Sequence, residues 1–328
     1  MYIKRNYGFW MTFKWSKRPF ILGTLYALMI NLGIYLINLT LYLPWQPLSI
    51  VGIAVAFYLG FKNNSSYDRT WEARKIWGSI VNNSRSFGAM VCSFVQGENE
   101  NEIKTDLIYR HLAWMTALRH QLRLKKEWEH DNERLKNRFA PTVCEDFHHK
   151  LKKELLMLMP SDVYEQLKHK SNMATQLLNI QSQQLQLLCN KGYFDSFRHM
   201  EFQQLITNLY ADQGKSERIK NFPFPRQYAS TALWMTFVFS ALIPFGLADI
   251  FKHMAIGYQV ISCLLSGLII WIFFLMEKIG DYSENPFEGS YNDVPITTIS
   301  RGIEIDLREM LNEENIPKPI PEENGFQL

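Results

Sequence analysis

Apolar residues gather in four stretches, two towards each end of the chain, and the text between the pairs is charged and helically periodic. Phe20 to Leu43, FILGTLYALMINLGIYLINLTLYL, contains no charged residue and is long enough to cross about 30 Å of hydrocarbon. Lys14, Lys17 and Arg18 precede it. Its apolar core is nevertheless too long for a signal peptide, and no small-residue cleavage site follows. Asn31 and Asn38 lie seven residues apart and so share a helix face, which is expected to pack on another helix rather than on lipid. The second stretch, Pro47 to Phe61, is too short to span alone. It runs directly into GFKNNSSYDRTWEARKIWG with no proline to stop the helix. Tyr228 to Phe251 and Met254 to Met276 are the third and fourth candidate spans, and Pro244 is expected to kink the third.

The region from about 62 to 227 reads as a series of helices. Leu107, Leu112, Met115, Leu118 and Leu122 recur at helical steps. KELLMLM ends at Pro160, and Ser161 is a candidate N-cap for SDVYEQLKHK. ATQLLNIQSQQLQLLCNKG closes at Gly192, and EFQQLITNLYADQGKSERIKN supplies another helix. The tail has a short helix near EIDLREML and a proline-rich end expected to be extended or disordered. These shifts give four segments: 1–61 with two membrane helices, 62–227 as a cytoplasmic helical domain, 228–276 with two further membrane helices, and 277–328 as a cytoplasmic tail.

Charge fixes the orientation. Lys4, Arg5, Lys14, Lys17 and Arg18 lie on the side of the central region and tail, whereas the connections PWQP and ADIFKH carry only Lys252 between them. The positive-inside rule then puts both termini in the cytoplasm. A net charge of +3 with mixed signs gives no basic stripe of the kind that nucleic acid needs. Fourteen per cent aromatic residues fits a chain with membrane interfaces. Cys92, Cys144, Cys189 and Cys263 have no paired spacing and read as isolated buried thiols. CEDFHHK has the residue types of a metal site, but adjacent His148 and His149 point to different sides of a helix, so no metal and no cofactor is expected. No GxSxG, HExxH, Walker or GxGxxG motif supports an enzyme.

Four blocks, GFKNNSSYDRTWEARKIWG, WMTALRHQLR, ADQGKSERIKNFPFPRQY and ENPFEGSYNDVPI, stand in an order that resembles the bestrophin family in its prokaryotic branch, over about residues 5 to 310. The resemblance implies an all-α membrane protein with four transmembrane helices per subunit. Five copies would surround a central pore, above a helical cytoplasmic vestibule in the bacterial inner membrane. It also explains how polar text can follow the second apolar stretch unbroken, because the pore-lining helix would run on into water. The family's hydrophobic neck falls on Ile53, Phe57 and Phe61, spaced so as to share one helix face, with ordinary lipid-facing or core packing as the alternative. Gly52, Ala54, Ala56 and Gly60 on the other positions would permit close helix approach.

A narrow apolar ring excludes ions by dewetting, so slight widening would gate it. Aromatic edges carry positive potential and faces negative, so ring orientation bears on selectivity, and the resemblance leans to chloride-type monovalent anions. It places a second constriction at Phe197, for which helix packing is an equal reading. Trp71, Arg74 and Trp77 are candidate subunit-interface or helix-packing residues. Asp68, Arg69, Glu72, Arg74 and Lys75 could equally form a solvated face of ion pairs. Animal members bind Ca²⁺ through an acidic run after the fourth helix. Here Asn285, Pro286 and Phe287 remain but the run is lost, leaving Glu288 and Asp293 apart, so Ca²⁺-independent opening is expected. The expected partners are further copies of the chain, monovalent ions and membrane lipid. The rivals are a cation channel on the same fold and a membrane-anchored scaffold that conducts nothing.

Overall fold

The computed structural model describes residues 1–37, 43–130, 147–251 and 254–327. Asn38, Cys144 and Lys252 lie outside them, as do the side chains of His148 and His149. Ten helices occur among the described residues: α1 Phe9–Ile37, α2 Trp45–Phe94, α3 Glu100–Arg123, α4 Phe147–Leu155, α5 Ser161–Leu167, α6 Met173–Asn190, α7 Ser196–Asn221, α8 Arg226–Phe251, α9 Ile256–Asp281 and α10 Ile296–Met310. The described residues contain no strand, only isolated bridges that join Phe326 to Tyr2 and to Glu323.

The chain divides into two compact units. The first holds Lys4–Thr70 and Pro223–Asn285, and the second holds Met1–Ile3, Trp71–Phe222 and Pro286–Leu328.

In the first unit α1 packs on α9 and α8, and α8 on α9. Phe9–Leu36, Arg226–Phe251 and Gly257–Asp281 are each long and apolar enough to cross a membrane. α1 begins well before its apolar stretch and runs through Pro19. A helix-interior proline has no N–H for the carbonyl four residues back, and that carbonyl, on Trp15, accepts instead from Lys278 Nζ at 2.7 Å. The ammonium also lies 4.0 Å from the centre of the Trp15 ring. Asn31 donates to Cys263 Sγ at 3.4 Å, joining α1 to α9. α1 and α9 approach closely at Gly267, where a Cβ would sit 2.0 Å from Thr24 Oγ1 and 2.9 Å from the Phe20 carbonyl oxygen. Pro244 lies inside the continuous α8.

In the second unit α3 is the central helix, with α4, α6, α7 and α10 packed against it. Its Leu107, Leu112, Met115, Leu118 and Leu122 are all in the core, together with Trp77, Ile80 and Phe87 of α2. Asn172 caps α6 by accepting from the Thr175 N–H at 2.9 Å, and Gly192 follows that helix with φ +83°, the left-handed conformation that glycine adopts without a Cβ penalty. α7 starts five residues before EFQQL because Asp195 accepts from the Arg198 N–H. Ser161 is not the cap of α5. Pro160 holds the N-cap position and Ser161 is the first helical residue. Proline's fixed φ suits the approach to a helix, and its missing N–H loses nothing there. The end of the tail is ordered by pairing with the chain's start: the Ile3 N–H donates to Gly325 O at 2.9 Å, the Gln327 N–H donates to Met1 O at 2.8 Å, and Phe326 is buried. Cys263 is buried, and Cys92 and Cys189 are half-buried.

Candidate functional site

The part of α2 in the first unit has two faces of different character. Leu48, Val55 and Leu59 are buried against Phe239, Ile243, Leu247 and Ile270. Gly52 lies on that face, where a Cβ would come within 2.7 Å of the Phe239 ring, so the small residue is needed for contact. Gly60 has open space around it and serves no such approach among the described residues.

The opposite face carries Ile50, Ile53, Phe57 and Phe61, exposed by 68, 68, 69 and 60%. Three of them stand at four-residue steps, so they form a stripe along the helix. The Phe57 and Phe61 rings meet edge to face, with centroids 5.2 Å apart and planes at 79°. Exposed apolar side chains also cover α1, α8 and α9, so exposure alone does not separate a pore face from a lipid face. The stripe has a polar continuation: Asn64, Ser65 and Asp68 extend it on the same side, all exposed, while the helix runs on without a break. A face that turns from apolar to polar along one unbroken helix passes from apolar surroundings into water.

Behind the stripe, polar contacts hold α2 in place. Lys62 pairs with Glu277 of α9 at 2.8 Å, with only 1% of the lysine side chain exposed. Arg69 Nε donates to the Glu284 carbonyl at 2.9 Å, and Thr70 Oγ1 donates to that of Ser283 at 2.8 Å. Arg226 of α8 pairs with the Glu284 carboxylate at 2.8 Å. Burial raises the Glu284 pKa, and the Arg226 guanidinium opposes that rise.

In the second unit Trp77 is fully buried in the core. Trp71 is 47% exposed, with the Arg74 guanidinium 5.9 Å from its ring centre. Phe197, in the first turn of α7, is 83% exposed, and Met200 one turn on is 68% exposed. The loop after Pro286 uses its carboxylates internally. Asp293 accepts from Arg123 Nη1 at 2.9 Å, from the Gly289 N–H at 2.5 Å and from Ser290 Oγ at 2.6 Å. Its pKa is raised to about 6 by burial, against the pull of Arg123. Glu288 is buried and meets His130 Nδ1 at 3.1 Å. Sequence reading missed these partners because Arg123 and Asp293 are 170 residues apart. It missed the buried Lys62–Glu277 pair for the same reason. The one available signal was a lysine and a glutamate placed at the ends of apolar stretches.

An all-helical chain with membrane-length helices and a helix whose exposed apolar stripe turns polar has the architecture of a membrane channel subunit. The chain belongs to the bacterial/fungal bestrophin family, whose model matches residues 17–309. It is 26% identical over 299 residues to the voltage-dependent anion channel-forming protein RSc3414 of Ralstonia nicotianae, covering 91% of this chain and 88% of that one. It is 27% identical over 296 residues to the voltage-dependent anion channel-forming protein YneE of Escherichia coli, covering 87% of this chain and 86% of that one. The crystal structure of a bacterial bestrophin homolog from Klebsiella pneumoniae shares the fold, with a TM-score of 0.75 and 22% identity over 90% of this chain and 98% of that chain.

Proposed function

We propose that five copies of this chain form an ion channel in the bacterial inner membrane. Its pore is lined by α2, and it passes monovalent ions passively, chloride-type anions in preference. α2 supplies the fourth membrane helix of each subunit, both termini face the cytoplasm, and lipid covers the outer faces of α1, α8 and α9. The observation that carries this reading is the exposed stripe of Ile53, Phe57 and Phe61, which continues into Asn64 and Asp68 on an unbroken helix. Five such stripes around an axis would give three stacked apolar rings. A hydrated ion loses water there without gaining polar replacements, so the neck is the barrier and the gate.

The anion preference is supported by the printed names of the relatives, which are called anion channel-forming proteins. Phe197, exposed at the start of α7, is the candidate for a second constriction in the cytoplasmic part. Trp71 and Arg74, exposed on a single subunit, are candidates for contact with the next one, while Trp77 packs within its own subunit.

Opening needs no Ca²⁺ in this reading, since Asp293 is already bonded to Arg123 and Glu288 to His130. Purified protein in liposomes tests both points. Chloride efflux should exceed potassium efflux and stay the same when Ca²⁺ is added and then chelated. Efflux that appears only with Ca²⁺, or potassium efflux alone, would contradict the reading.

A further inference from the structure

We infer that Asp68 is a selectivity-determining residue, which forms a ring of carboxylates at the inner mouth of the neck and weakens the channel's preference for anions. The inference rests on the proposed pore and adds a charged filter to it.

Helical geometry puts Asp68 on the stripe. Ile53, Phe57, Phe61, Asn64 and Asp68 follow one another at steps of three and four residues and so share a face. Each of the five is exposed. Seven residues separate Phe61 from Asp68, about 10 Å at 1.5 Å per residue. That is about one Debye length at about 0.1 M salt and less than one at lower salt, so at low salt the field of a carboxylate at Asp68 reaches the last apolar ring.

Among the described residues the neighbouring charges leave this carboxylate uncompensated. Asp68 has no ion pair or hydrogen bond to any described residue. Arg69, next in sequence, is turned towards the end of α9, where it donates to the Glu284 carbonyl at 2.9 Å. Lys62, the cation nearest the neck in sequence, is buried on the other face against Glu277. Glu72 is bonded to Arg218 at 2.5 Å. Among the described residues of the first unit, Asp68 is the charge that stands on the exposed stripe of α2, so an ion leaving the neck meets a carboxylate there. Five like charges at one level concentrate cations and repel anions, the arrangement used by acidic rings in cation-passing pores. The apolar neck sets whether ions pass, and Asp68 shifts which ions pass.

The test is the reversal potential of purified channels in planar bilayers under a KCl gradient, for wild type, Asp68→Asn and Asp68→Glu. Asp68 is exposed and has no bond to a described residue, so both substitutions leave the fold intact. At about 50 mM mean salt, D68N should raise the chloride-to-potassium permeability ratio about threefold. D68E should stay close to wild type, and the difference between D68N and wild type should shrink towards nothing near 1 M, where the Debye length is about 3 Å. A conducting D68N channel with the wild-type reversal potential at low salt overturns the inference while leaving the pore reading intact. So does a shift that is independent of salt or equally large in D68E, because it would mark a structural role. No current from the wild type after verified reconstitution overturns the pore reading, and the inference falls with it.

Discussion

His111 shows how a single side chain ties the second unit to pH. It is fully buried on α3, its Nε2 lies 2.9 Å from Ser84 Oγ, and its ring stacks on Phe87 at 5.0 Å. Burial lowers its pKa from 6.5 to about 3. A base with a depressed folded pKa contributes stability that is complete above its unfolded pKa and is lost as pH falls through the window below 6.5 towards 3. The loss can reach about 1.4 kcal/mol per pH unit within that window. Asp293, raised from 3.8 to about 6, works in the opposite sense: its contribution is complete below about 3.8 and is lost as pH rises through 6. The comparison that isolates His111 is therefore the thermal midpoint of wild type against His111→Gln from pH 7.5 to 5. The wild type should fall more steeply, and parallel curves would contradict the assignment.

The Lys62–Glu277 pair behaves differently, because each partner makes the other's burial tolerable. Lys62→Met alone removes the ammonium that faces a largely buried carboxylate and should cost about 3–5 kcal/mol. Lys62→Met combined with Glu277→Met should recover most of that loss. Unfolding in detergent across the full cycle, with Glu277→Met as the other single variant, checks both values, and a loss in the double variant equal to the sum of the two single losses would show that the pair is not coupled.

At the scale of elements, close approach between α1 and α9 depends on Gly267, where an added methyl meets the Phe20 backbone carbonyl at 2.9 Å as well as the Thr24 hydroxyl. Backbone cannot give way as a flexible side-chain end can, so Gly267→Ala should cost about 1–3 kcal/mol. Gly60→Ala, with no described residue within 4 Å of the added Cβ, should cost far less in an isolated subunit. Detergent melting of the two variants side by side measures the contrast.

Helix existence was legible wherever apolar residues recur at helical steps, as in α3, α6 and α10. Ends were less so, since they depend on single capping contacts: Asp195 extends α7 and Pro160 displaces Ser161 as the cap of α5. The early start of α1 was hidden because Pro19 argues locally for a break. It is overridden by Lys278, 263 residues from the Trp15 carbonyl that it satisfies. The stripe of Ile53, Phe57 and Phe61 could be read from spacing alone. Its exposure could not, because an apolar triplet reads the same whether it meets lipid, core or pore.

At the scale of the whole molecule, the account needs a closed ring of subunits. One chain of 38.6 kDa presents the stripe on one side only and cannot enclose a path by itself. Native mass spectrometry of protein released from detergent should give a mass five times that of the chain, and a monomer or dimer would contradict it. The claim that joins residue, helix and ring is that Ile53, Phe57 and Phe61 form the barrier. Its most direct test is the conductance of wild type beside the triple variant I53A/F57A/F61A in planar bilayers under a KCl gradient. Removing three apolar rings should rewet the neck and give larger or longer openings than wild type. Equal conductance in the two proteins, or silence from both after verified reconstitution, would contradict the account.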